Sequence, residues 1–93
     1  MKNWTVYIVK CKDGTLYTGI TNNLDKRIKT HNKGKGAKYT KSRRPVRLVI
    51  SKGGFTRSEA LRLEIKVKKQ PRAKKIKFLE RWLSGEKNET SNS

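Results

Sequence analysis

Two short runs rich in β-branched and aromatic residues, 4–11 (WTVYIVKC) and 16–21 (LYTGIT), lie on either side of Asp13-Gly14. Glycine tolerates the positive φ that a tight reversal demands, so this arrangement predicts a β-hairpin. Asn22 and Asn23 follow as caps for a helix with Asp25 in its first turn and Leu24, Ile28 and His31 along one stripe; 32–36 (NKGKG) ends it. The basic stretch 37–44 (AKYTKSRR) reads as a loop, 45–51 (PVRLVIS) as a third strand and Gly53-Gly54 as a turn. Thr56-Arg57-Ser58-Glu59 fits a capping box for a helix that runs to Lys69. Pro71 breaks that helix and opens a last one, with Ile76, Leu79 and Leu83 on one line, widened by Phe78 and Trp82. This order predicts an α+β domain over residues 1–83, a small three-stranded antiparallel sheet flanked by helices, with 84–93 (SGEKNETSNS) a disordered polar tail.

Charge narrows the partners. Lys and Arg number 25 against 7 Asp and Glu, a formal net charge of +18 over 93 residues. So one-sided an excess repels itself unless a polyanion is the working environment. Nucleic acid suits better than an anionic membrane, because the cations are spread along the chain rather than along one amphipathic helix. No apolar run approaches the ~20 residues of a spanning helix, and no signal-peptide pattern opens the chain. A single cysteine, Cys11, rules out an internal disulfide, and a single histidine, His31, rules out Cys/His zinc spacing. The expectation is a reduced, cytoplasmic monomer that binds DNA rather than RNA or membrane.

Five side chains stand out, each with two readings. On a helix Glu64 neighbours Ala60, Leu61, Val67 and Lys68, so its carboxylate points to the edge of the buried face and needs a partner, a cation from this basic chain or a metal. Arg27 and His31 share a helix face: either a solvated Arg and a capping His, or a phosphate clamp beside a proton-handling group. Tyr7 and Tyr17 on the paired strands are either packing residues or phenols whose ionisation the surrounding positive charge favours.

Taken jointly, Val6-Tyr7-Ile8, Tyr17-Thr18-Gly19, Arg27, His31 and the Glu64 of SEALRLE resemble the GIY-YIG nuclease family. The tract HNKGKGAKYTKSRRP is similar to the small single-domain bacterial branch of that family. The first triplet departs from the family's name at both flanks, and Ile20 stands where excision-repair relatives carry a Lys. The resemblance implies metal-dependent endonucleolytic cleavage of DNA phosphodiesters, in DNA repair or recombination. By the same resemblance Tyr17 or Tyr7 helps deprotonate the attacking water, and Arg27 steadies the scissile phosphate. Glu64 holds Mg²⁺ (or Mn²⁺), His31 lies near the nucleophile, and Gly19 leaves room for close approach.

A shared site for both tyrosines constrains the hairpin. A two-residue turn at Asp13-Gly14 would pair Tyr7 with Ile20 and Tyr17 with Lys10, sending the two rings to opposite faces. A three-residue turn over 13–15, or a bulge, is therefore expected. Lys33, Lys35, Lys38, Lys41, Arg43 and Arg44 cluster behind the first helix as phosphate contacts, and Tyr39 among them either packs the loop or stacks on a base of single-stranded, flapped or branched DNA. A second basic group spans Lys66, Lys68, Lys69, Arg72, Lys74, Lys75 and Lys77. Without a recognition helix, binding should be nonspecific or structure-preferring and steeply salt-dependent. The alternatives are a binding module of the same fold with weak or no catalysis, and an RNA or ribosome partner.

Overall fold

The computed structural model describes residues 2–82; Leu83 and the expected tail lie outside them. The chain forms β1 (Trp4–Lys10), β2 (Leu16–Thr21), α1 (Leu24–Asn32), α2 (Lys38–Lys41), β3 (Arg47–Phe55), α3 (Arg57–Lys68) and α4 (Arg72–Arg81). The strands make an antiparallel sheet in the order β2-β1-β3, so the expected α+β architecture is present, with β1 in the centre.

The hairpin turn decides which side chains share a face. Cys11 N–H donates to the Thr15 carbonyl (2.8 Å) and Gly14 N–H to the Cys11 carbonyl (2.9 Å). Gly14 sits at φ +87°, a conformation that L side chains rarely adopt. The loop is thus three residues long, Lys12-Asp13-Gly14, one position ahead of the expected one. The Asp13 carboxylate braces it, accepting from the Thr15 N–H (3.1 Å) and hydroxyl (2.7 Å), which holds Asp13 below its ordinary pKa. Tyr7 then opposes Gly19 and Val9 opposes Tyr17, and both tyrosines point to one side.

Alternation along β1 feeds two cores. Val6 and Ile8 join Phe55, Ala60, Leu63, Val67 and Leu79 beneath α3 and α4. Tyr7 and Val9 join Cys11 and Val46 on the other face, where Tyr17, Leu24 and Ile28 pack against them. Helix ends are secured locally. Asn23 caps α1 by accepting from Lys26 N–H (3.2 Å). The Thr56–Glu59 capping box is complete, with bonds of 3.1 and 2.8 Å. The Lys75 ammonium closes the end of α3 by donating to the carbonyls of Val67 (3.2 Å) and Lys68 (3.0 Å), and burial lowers its pKa.

Two local expectations are corrected. Gly53-Gly54 does not turn the chain but lies inside β3, where the pairing shifts between Trp4–Phe55 and Val6–Lys52. Gly54, at φ +90°, absorbs the extra residue as a bulge. The stretch read as a basic loop contains the single turn α2, which buries Thr40.

Candidate active site

The site grows from the Tyr7 face of the sheet. Tyr7 is fully buried. A Cβ at Gly19, the residue opposite, would lie 2.5 Å from the Tyr7 hydroxyl, so the missing side chain is what lets the phenol cross β2. There Tyr7 Oη lies 2.8 Å from His31 Nε2. Arg27, one helical turn before His31, donates from Nε to Tyr7 Oη (3.4 Å) and from Nη2 to the Gly36 carbonyl (3.2 Å). The other His31 nitrogen, Nδ1, is 2.8 Å from Thr40 Oγ1. Gly36 packs against the imidazole so closely that a Cβ would lie 2.7 Å from His31 Cγ.

The protons in this chain have one consistent assignment. Thr40 donates its hydroxyl proton to the Ala37 carbonyl (3.1 Å), so Oγ1 accepts from His31 Nδ1–H. Nε2 is then the bare nitrogen and accepts from Tyr7 Oη–H. The Tyr7 oxygen in turn accepts from Arg27. His31 is buried and its pKa is lowered, by desolvation first and the Arg27 charge second, which keeps the ring neutral as this assignment requires. Tyr7 departs from the sequence reading: its pKa is raised, not lowered. Burial is the largest cause; the bond and charge of Arg27 oppose it, and Tyr17 and Glu64 add to it. The net charge of the chain is spread over a solvated surface, where it is screened, whereas desolvation acts directly at the phenol oxygen.

Tyr17 is half-buried and borders the same cluster. Its ring meets His31 edge-on (centroids 5.4 Å apart) and stacks on Tyr39 at 5.9 Å with planes 26° apart. Glu64 approaches from α3, which packs along β2. Its side chain is 16% exposed and Oε2 is 3.1 Å from Lys68 Nζ, which lies 6.0 Å from the centre of the Tyr17 ring. Tyr7, Tyr17, Arg27 and His31 are therefore in mutual contact through Tyr7 and His31, and Glu64 borders them through Lys68.

Among the described residues no three His, Cys, Asp or Glu side chains gather as metal ligands. A single shielded carboxylate does fit a hard ion that keeps most of its waters, such as Mg²⁺ or Mn²⁺, and fits zinc poorly.

Residues 3–77 match the GIY-YIG catalytic domain. The chain belongs to the GIY-YIG nuclease superfamily. It is 57% identical over 75 residues to a UPF0213 protein of Staphylococcus haemolyticus, covering 81% of this chain and 92% of that one. The solution NMR structure of a UPF0213 protein from Bacillus halodurans is 44% identical, with a TM-score of 0.52 and coverage of 97% and 96% of the two chains. That of a protein from E. faecalis is 39% identical, with a TM-score of 0.58 and coverage of 86% and 88%. No helix among the described residues of this GIY-YIG protein is long and apolar enough to cross a membrane.

The basic residues that follow α1 in this GIY-YIG domain divide into two sets. Lys33, Lys35, Lys38 and Lys41 are exposed. Arg43 is engaged: it pairs with Asp13 (3.1 Å), donates to the Tyr39 carbonyl (2.9 Å) and lies 4.1 Å above the Tyr39 ring. Arg44 donates to the carbonyls of Lys41 (2.8 Å) and Asn32 (3.4 Å). Tyr39 is 40% exposed, and a base stacking on it competes with Tyr17 and Arg43. Sequence reasoning missed Thr40 and Gly36. A buried threonine nine residues beyond a histidine carries no local signature, whereas the cation beside Glu64 is Lys68, which the helical spacing places among its neighbours.

Proposed function

We propose that this protein is a metal-dependent endonuclease that hydrolyses DNA phosphodiesters, acting as a cytoplasmic monomer in DNA repair or recombination and selecting its target by structure rather than sequence. The observation that carries this reading is the contact of Tyr7, Tyr17, Arg27 and His31 in one cluster, with the Glu64 carboxylate beside it.

Burial and hydrogen bonding divide the labour. Tyr7 keeps its proton and uses both faces of its hydroxyl to fix Arg27 and His31, so it positions rather than ionises. Tyr17, half-buried, is the phenol available to relay a proton from the attacking water, accepting it as its own hydroxyl proton passes to solvent. Among the described residues Arg27 Nη1 makes no hydrogen bond, unlike Nε and Nη2, and this edge of the guanidinium stabilises charge building on the scissile phosphate. His31, neutral and engaged at both nitrogens, holds the Tyr7 hydroxyl. Mg²⁺ or Mn²⁺ held by Glu64 would supply polarisation of the phosphoryl oxygen and stabilisation of the leaving alkoxide. Lys33, Lys35, Lys38 and Lys41 give affinity for the flanking phosphates, with Tyr39, Arg43 and Arg44 forming the rest of that surface.

The ion pair between Glu64 and Lys68 favours a second reading, a nucleic-acid-binding module with weak or no cleavage. Supercoiled plasmid incubated with Mg²⁺ or Mn²⁺ separates the two. Nicking by the wild type that disappears in Glu64→Ala and in Arg27→Ala supports the nuclease; equal binding and no nicking by all three proteins supports the module.

A further inference from the structure

The opposite face of the sheet carries a cationic feature that the proposed reaction leaves unused. Lys74, Lys77 and Arg81 fall three and four residues apart on α4, and all are exposed. Phe78 shares their stripe. With Gln70 and Trp82 they line a cleft of about 460 Å³ whose walls, among the described residues, contain no carboxylate. The rings of Phe78 and Trp82 lie 5.6 Å apart at 36°, and the Lys66 ammonium stands 5.2 Å from the Trp82 ring centre. Both aromatics pack at their inner side on the core of Val6, Ile8 and Leu79, whereas Tyr7, Tyr17 and Leu24 belong to the other core.

We propose that this cleft is a second nucleic-acid contact, one that takes a single strand. Phosphates would pair with Lys74, Lys77 and Arg81, and a base would lie against Phe78 and Trp82. The chemistry favours this occupant over others. A duplex offers phosphates but no free base face for the aromatics. An anionic membrane recruits a helix whose apolar face is free to enter the lipid, yet Ile76 and Leu79 of α4 are committed to the core. Cations bordering an aromatic pair are what a strand of unpaired nucleotides requires. The site does not depend on cleavage, and it gives the domain grips on both sides of its sheet.

The test is tryptophan emission of the full chain, titrated with oligothymidylate or oligouridylate in the presence of a chelator, so that hydrolysis plays no part. We expect quenching in the wild type that is lost in Trp82→Phe, with affinity down at least about fivefold, the low end of base–aromatic stacking. Lys74→Glu/Lys77→Glu/Arg81→Glu changes exposed side chains only, so it reports even if the Trp82 variant misfolds. It should lower the slope of log affinity against log salt by about 2, at about 0.7 per phosphate on a single strand. Quenching by either oligonucleotide supports the site, and the tighter one identifies the sugar preferred. An unchanged emission at saturation, an unchanged slope in the triple variant, or equal quenching by anionic vesicles overturns it. Plasmid nicking, present or absent, bears on the nuclease reading alone.

Discussion

The Tyr7 hydroxyl and the His31 imidazole meet at 2.8 Å in a space from which water is excluded, and the direction of that bond is imposed from the far side of the ring. Thr40 accepts from Nδ1, which leaves Nε2 to accept from Tyr7. Thr40→Val should strand a buried Nδ1–H at a cost of about 1–3 kcal/mol, while Thr40→Ser should restore most of it. Urea denaturation measures the cost. Nitrogen NMR of the wild type should show a protonated Nδ1 and a bare Nε2; the reverse tautomer would remove Thr40 from this role.

Neutral His31 links folding to pH. Its folded pKa lies below the ordinary 6.5, so between those values the unfolded chain binds more protons and stability rises with pH. The contribution is complete above about 6.5 and is lost as pH falls through the folded value. Denaturation midpoints should therefore drop on acidification from pH 7, and His31→Phe should flatten that part of the curve. A histidine titrating at or above its ordinary value would contradict the account.

Gly19 faces Tyr7 for a steric reason. Gly19→Ala puts a methyl 2.5 Å from Oη and 2.7 Å from the ring carbon that carries it. The phenol has to move, at a cost of about 1–3 kcal/mol, and the bond to His31 should lengthen or break. Loss of the Nε2 acceptor shift in the NMR spectrum together with a lower unfolding free energy would register both effects.

On the proposed reading, Lys68 and a divalent cation compete for Glu64. The Lys68 side chain is half exposed, so its ion pair is worth little, and removing it in Lys68→Met should raise Mn²⁺ affinity by at most about fivefold. Titration calorimetry of the free protein reads this without any substrate. Glu64→Gln should abolish the heat; binding that persists in Glu64→Gln would place the ion elsewhere.

Much of this arrangement is written in local signals. The β-rich runs around Asp13-Gly14, the Thr56–Glu59 box and Pro71 each act over a few residues, and each element formed where those residues pointed. The need to unite two tyrosines even foretold an odd-length turn. What escaped was non-local. Gly53-Gly54 carries the composition of a turn, yet pairing with β1 keeps it in the sheet. Thr40 matters only because α2 folds back over His31, thirty residues of chain away from the strand that presents Tyr7. The acidity of Tyr7 was misjudged because total charge is visible in a sequence and burial is not.

Gly14 takes no part in the proposed chemistry, yet it chooses between two hairpins. One residue of slippage would still leave a well-bonded ladder, but Tyr17 would emerge among the neighbours of Leu16 and Ile20. Such a conformer would be an inert isomer, similar in strand content and lacking any place for a phosphate. A backbone angle in a surface turn is thus the point at which a folding error would become a loss of chemistry.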